Sequence, residues 1–230
     1  MPSAKPNILY LFTDQLRGDA VGYYPGSPVL TPNLDRLAAQ GAAFLRCYTN
    51  SPLCVPARAS LMSGQLPREH GVWNNAIGAD EHGVSHVRNL RQAGYYTAVV
   101  GKTHLWRTGA GGKPGMHVKE KDGNLANWGF DYRVEVSDPI GTRNGFCRYT
   151  DYLEQQGWLA THQQYMQDWF EQGYQAGEPQ PWDQPQAPVP EGEDIDSFIG
   201  RSAVDWISDH GKDKPFYLQV QFTGPHDPFD

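Results

Sequence analysis

The stretch "VSHVRNLRQAGYYTAVVGKTHL", Val84 to Leu105, reads in order as a helix, a glycine stop, a strand and a polar exit. That succession is the second half of a βαβ unit. Working outward, Asn7 to Thr13 is β-rich and almost wholly apolar, the pattern of a buried central strand in a parallel or mixed sheet, and Asp14 follows at its end. "TPNLDRLAAQG" offers Thr31 as helix N-cap, Pro32 at the first helical position and Gly41 as the stop, with Leu34, Leu37 and Ala38 on one face. "AFLRCYTN" (residues 43–50) reads as a further strand, and Pro56 to Ser63 as a helix stopped by Gly64. Near the end, "DSFIGRSAVDWISDHG" is helical, "KPFYLQVQF" a strand and "TGPHDPFD" a loop. Alternation of this kind predicts an α/β layered fold.

Residues 106–193 differ, being rich in Gly, Pro, Trp, Gln and Asn with little periodicity. "EPQPWDQPQAPVPEGE" (178–193) has the composition of a linker. The aromatics Trp128, Phe130, Tyr132, Tyr152, Trp158, Tyr165, Trp169 and Phe170 argue instead for an insertion packed over the sheet edge. The chain ends on a polar loop with no closing helix, which predicts that residues 1–230 are the N-terminal part of a longer catalytic domain.

The 230 residues are 39% hydrophobic with a formal net charge of -7, which suits one soluble domain and argues against nucleic-acid binding, where a basic face is needed. No apolar run approaches the length of a membrane span, so no membrane partner is expected. The N-terminal apolar run leads into an aspartate rather than a small-residue cleavage site, and reads as the first strand of a cytoplasmic protein. Cys47, Cys54 and Cys147 form no disulfide framework. A homo-oligomeric assembly stays open.

Three strand exits carry reactive side chains: Asp14, the Lys102/His104 pair, and His226/Asp227. Open α/β sheets build their sites outside the carboxyl ends of strands. Lys102 and His104, two apart, face the same way on an extended backbone and suit an anionic substrate with an acid/base step. Asp14 would offer hard oxygens to Ca²⁺ or Mg²⁺, although an aspartate after a strand is also a common turn residue. His70, His82, His86, His117, His162 and His210 show no metal spacing, and without a Cys/His cluster zinc is not expected. Cys54 precedes a helix whose first N–H groups favour an anion, and Arg58 lies one turn further along the same face. That arrangement fits an anion-transfer nucleophile, a thiol phosphatase or a redox cysteine; an inert buried thiol is the plainer alternative.

At "LCVPARASLMSGQLPREHGV" the sequence resembles the type I, formylglycine-dependent sulfatases of the alkaline phosphatase superfamily, through Cys54, Pro56 and Arg58 of a C-x-P-x-R signature. "PNILYLFTDQLRGDAVG", "TPNLDRLAAQGAAF", "GYYTAVVGKTHLW" and "GPHDPF" resemble further family segments in the family's order. The resemblance implies an α/β, alkaline-phosphatase-like mixed sheet flanked by helices, truncated before the sheet and the C-terminal subdomain are complete. It implies hydrolysis of small-molecule sulfate monoesters, with Cys54 oxidised by a formylglycine-generating enzyme to formylglycine, whose hydrated gem-diol is the nucleophile. Covalent catalysis of this kind divides one difficult step into two.

Carried over residue by residue, Asp14 and the residue derived from Cys54 would ligate a divalent metal, Ca²⁺ or Mg²⁺ with Mn²⁺ admissible. Arg58 would hold the hydrate, Lys102 and His104 the sulfate oxygens, and His226 the sulfate or the leaving oxygen. Asn75, or less favourably Asn74, would donate to a sulfate oxygen. Trp106, Trp128 and Trp158 are candidates for substrate choice, through cation–π attraction if the alcohol carries a quaternary ammonium, with core packing as the plainer reading. Asp14-Gln15 stands where many members have two aspartates, a departure similar to the branch of choline sulfatases and phosphonate monoester hydrolases. The resemblance also places further metal ligands and a second lysine after Asp230, so the piece alone is expected to be inactive. The same machinery acting on phosphonate monoesters or phosphodiesters, and a non-catalytic member of the family, are the alternatives.

Overall fold

A computed structural model describes residues 5–106, 117–171, 187–210 and 214–228. Its centre is a pair of strands whose alternating residues serve opposite faces, β2 (Tyr96–Gly101) and β4 (Phe216–Gln221). They pair in parallel with Ala98 opposite Leu218 and Val100 opposite Val220. β1 (Ile8–Phe12) flanks β4 and β3 (Tyr132–Glu135) flanks β2, giving an all-parallel sheet of order β1-β4-β2-β3.

Both faces of the β2–β4 centre are covered. On one, Ala98, Val100, Phe216, Leu218 and Val220 pack with residues of α6 (Arg148–Gln156) and α8 (Ile195–His210), Trp206 and Leu153 among them. On the other, Val99 and Tyr217 meet Met62 of α2 (Cys54–Ser63), Val87 of α4 (His86–Gln92) and Leu125 of α5 (Asp122–Trp128). Two-sided burial explains why β2 reads as a continuous apolar run. Gly64 ends α2 at φ +70°, a left-handed cap that glycine adopts without steric cost. No helix among the described residues is long and apolar enough to cross a membrane.

Several expectations need correction. Among the described residues β1 lies at the edge of the sheet, pairing there with β4, and Leu9 and Leu11 on one of its faces are exposed. Residues 43–50 form no strand; Phe44 and Tyr48 are exposed, and no strand among the described residues pairs with the segment. The helix expected from Pro56 begins at Cys54, because Leu53 in an extended conformation is its N-cap and proline fits the first turn without needing an N–H. α1 (Pro32–Gln40) starts and stops where expected, yet none of its residues is fully buried and Leu37 is largely exposed. The segment 106–193 is far more regular than its composition suggests, containing α5, α6, α7 (Leu159–Trp169) and the edge strand β3. Its proline-rich stretch lies outside the described residues as far as 186.

Gly101 fixes how β2 leaves the sheet. Its φ is +114°, and a Cβ there would run into the backbone carbonyl of Gln221. Gly101→Ala is therefore expected to lower the unfolding free energy by about 3 kcal/mol or more, through strain and steric conflict together. Urea unfolding checks this, and a loss below roughly 0.5 kcal/mol, the range of neutral surface changes, would contradict it.

Candidate active site

The carboxyl ends of β1, β2, β3 and β4 and the N-terminus of α2 open on one cavity of about 1330 Å³. Asp14 leaves β1 with its N–H donating to the Gly224 carbonyl at 3.2 Å. The following residue, Gln15, has φ +60°, and His104, after β2, has φ +44°. These are the two non-glycine positive-φ positions among the described residues, and both border this cavity. Backbone strain of this sort collects at functional sites because the surrounding structure must enforce it.

The organising contact is at Asp14 Oδ2. Lys102 Nζ donates to it at 2.7 Å and Arg58 Nη2 at 3.1 Å. All three side chains are buried. Burial alone would raise the Asp14 pKa, but the Lys102 and Arg58 cations outweigh that and bring it down to about 2. Arg58 crosses beneath the cavity from α2, its Nη1 donating to the Lys102 carbonyl and, at 2.6 Å, to Gln221 Oε1, with its guanidinium 5.0 Å from the Phe12 ring centroid.

Cys54 is the first residue of α2, and its Sγ lies 3.9 Å from each Asp14 carboxylate oxygen. The Val55 N–H, one of the unpaired donors of the first turn, is taken by Asn75 Oδ1 at 3.0 Å. Asn75 therefore anchors the start of α2, besides lining the cavity. His226, in the loop after β4, lies within hydrogen-bonding reach of Cys54; burial disfavours its charged form, but Cys54 and Asp227 raise its pKa overall. His104 behaves oppositely: burial first, then the Lys102 cation, push its pKa down to about 4, so the imidazole is neutral at pH 7.

Of the residues singled out in the sequence, Asp14, Cys54, Arg58, Asn75, Lys102, His104 and His226 all line the cavity. Trp106 also borders it. Trp128 is the correction: it is 3% exposed, packed in the core with Met62, Val87 and Phe130, and does not border the cavity. It lines instead a separate, smaller cavity of about 240 Å³ beside Leu105, Trp106 and Leu125.

Glu135 and Asp138, at the end of β3, also line the cavity and escaped the sequence reading. Glu135 is fully buried; its Oε1 accepts from the Thr103 N–H at 2.9 Å and the His104 N–H at 3.4 Å, and burial pushes its pKa up to about 8. It therefore holds the strained β2 exit as a neutral acid at pH 7. Asp138 is kept low, since Lys102 and His104 outweigh its burial. The signal available was "VEVSD", an acidic residue inside a short β-branched run and another just after it.

Asp14, Cys54 and His226 bring a carboxylate oxygen, a sulfur and a ring nitrogen within 4.8 Å of one another. A divalent cation fits there in part. Asp14 is the single hard donor of the three, and Ca²⁺ or Mg²⁺ requires about six oxygen ligands. An oxygen in place of the Cys54 sulfur improves the match.

Residues 6–230 match the family model described as Sulfatase. A choline-sulfatase of Rhizobium meliloti is 46% identical over 105 residues, covering 46% of this chain and 20% of the relative. An arylsulfatase of Clostridium perfringens is 27% identical over 98% of this chain and 44% of its own length. The chain thus spans less than half the length of these curated relatives. A crystal structure of phosphonate monoester hydrolase from Agrobacterium radiobacter superposes with a TM-score of 0.70 at 23% identity, covering 98% of this chain and 42% of that one, a likeness of fold.

The shared carboxylate yields a direct test. Asp14→Asn leaves two buried cations without their anion, and should destabilise the metal-free protein at pH 7 by about 3 kcal/mol. The carboxyl pKa falls from 3.8 to about 2 on folding, so its contribution is present above the higher value and is lost as pH drops through the lower. Chelator-treated protein unfolded in urea across that range should show the gap between wild type and variant closing below pH 4. A gap independent of pH would contradict the assignment.

Proposed function

The chain belongs to the sulfatase family, and we propose that the complete protein hydrolyses sulfate monoesters to an alcohol and inorganic sulfate, using Cys54 after its oxidation to formylglycine. One observation carries this reading: Cys54 stands at a helix N-terminus facing a carboxylate that is itself held by a buried lysine and a buried arginine. A thiol serving redox chemistry needs no such apparatus. A nucleophile displacing a sulfuryl group does, since negative charge must be held on both sides of the reacting centre.

In this reading the chain's residues divide the work. Asp14 would hold a divalent cation, Ca²⁺ or Mg²⁺ with Mn²⁺ admissible, which when bound would supply Lewis-acid polarisation of a sulfate oxygen. Arg58 keeps the Asp14 carboxylate ionised and turned toward position 54. Lys102 supplies positive charge beside the same oxygen. His104, neutral at pH 7, serves the sulfate as a hydrogen-bond partner rather than as a cation. His226, whose pKa is raised, is the group suited to hand a proton to the departing alcohol oxygen. Asn75 fixes the turn that aims position 54. Oxidation of Cys54 requires a separate maturing enzyme acting on the segment around "CVPAR".

Phosphonate monoesters share the tetrahedral anionic centre, so the decisive measurement is a ratio. With the complete, matured protein, kcat/KM for 4-nitrophenyl sulfate should exceed that for an aryl phosphonate monoester by about a hundredfold, a difference of roughly 3 kcal/mol in transition-state binding. Cys54→Ala should lower the sulfatase rate by at least about a thousandfold. A ratio inverted toward the phosphonate would replace the sulfatase reading with the phosphonate hydrolase one.

A further inference from the structure

β4 is one of the two central strands of the sheet, yet one face of it is polar: Tyr217, Gln219 and Gln221 alternate with the apolar Phe216, Leu218 and Val220. All three polar residues are buried beneath α2 and α4. Buried amides in a strand core are costly unless every polar atom finds a partner. Here they form a chain. Arg58 Nη1 donates to Gln221 Oε1 at 2.6 Å, Gln221 Nε2 to Gln219 Oε1 at 2.7 Å, and Gln219 Nε2 to the Tyr217 hydroxyl at 2.6 Å. The Tyr217 hydroxyl lies 2.7 Å from His86 Nε2, and His86 Nδ1 lies 3.0 Å from the Met62 carbonyl.

The direction of every bond follows from its two ends. A guanidinium can only donate, which turns Gln221 Oε1 toward it and forces each following amide into one orientation. A carbonyl can only accept, so His86 carries its proton on Nδ1 and receives the Tyr217 hydroxyl on Nε2. Burial supports both forms, holding His86 below its ordinary pKa and pushing Tyr217 up to about 12. Arg58 and Met62 stand four residues apart on α2, so the chain leaves the helix at its buried cation and returns to one of its last carbonyls. A helix slipping or rotating over the sheet would have to break the whole circuit.

We propose that Gln221, Gln219, Tyr217 and His86 are positioning residues that clamp α2 on β4 and hold the Arg58 guanidinium against Asp14, so that the helix N-terminus bearing Cys54 is fixed relative to the strand exits. None of the four is placed in direct contact with substrate. The inference rests on the sulfatase reading for its kinetic readout alone.

The test uses the complete, matured protein and variants at the end of the circuit away from Arg58. Tyr217→Phe removes one oxygen and should reduce kcat for 4-nitrophenyl sulfate about tenfold, since the Arg58 and Asp14 end of the site loses its fixed orientation. His86→Leu should match it, and the double variant should be no worse than about twofold below the weaker single, because one circuit can be cut only once. His86→Gln offers a carboxamide oxygen to the Tyr217 hydroxyl and should keep at least about a third of kcat. Calorimetric affinity for inorganic sulfate should weaken about tenfold in Tyr217→Phe and His86→Leu but not in His86→Gln. Wild-type kcat and sulfate affinity in the first two variants, or a His86→Gln protein as impaired as His86→Leu, would overturn the proposal. If Tyr217→Phe does not fold, the His86 pair decides alone. If wild-type protein turns over neither ester, the functional reading fails, and the sulfate titration decides the positioning claim by itself.

Discussion

The arrangement depends on one carboxylate oxygen, Asp14 Oδ2, serving two buried cations at once. Desolvating a lysine and an arginine side by side is unfavourable by several kcal/mol per ion unless an anion and further hydrogen bonds meet them. Asp14 supplies the anion, while Gln221 and the Lys102 carbonyl supply hydrogen bonds to Arg58. Because the three charged residues come from β1, α2 and the β2 exit, meeting this electrostatic demand also fixes the relative placement of those elements. The fold and the site are thus held by the same contact.

Around that contact the ionisable groups divide by environment rather than by residue type. Asp14 and Asp138 face cations and stay ionised, whereas Glu135, buried at the end of β3, is protonated at neutral pH. His226 is shifted up beside Cys54 and Asp227, while His104 is shifted down beside Lys102. Two histidines in one cavity are thereby shifted in opposite directions, the kind of separation that acid/base chemistry at one pH uses. A chain of net charge -7 can present an anion-binding cavity because these charges are local and buried.

Much of the fold was legible wherever a local signal was complete. The succession Ser85 to Gly101 gave α4 and β2 because a glycine stop separates a helical pattern from a β-branched run. Asp14, Lys102 and His226 could be found because polar residues at strand exits stand out against apolar strands. What failed depended on tertiary partners. Among the described residues, 43–50 have strand-like composition but no strand beside them to pair with, and β1, apolar like a central strand, lies at the edge of the sheet described. Trp128 could be assigned to core or site only once α5 was placed against α2 and α4. Glu135 was hidden by a segment whose composition suggested an irregular insertion. Gln219 and Gln221 look like ordinary strand alternation until Arg58 is seen to reach across to them.

The central claim, that position 54 is not a cysteine in the working protein, is measured most directly by mass. Trypsin releases Cys47–Arg58, a peptide containing two cysteines. After reduction and alkylation of protein made alongside a maturing enzyme, the account predicts one alkyl group, on Cys47, and a residue at position 54 lighter than cysteine by about 18 Da. Two alkylated cysteines in a preparation that nevertheless hydrolyses sulfate esters would contradict it.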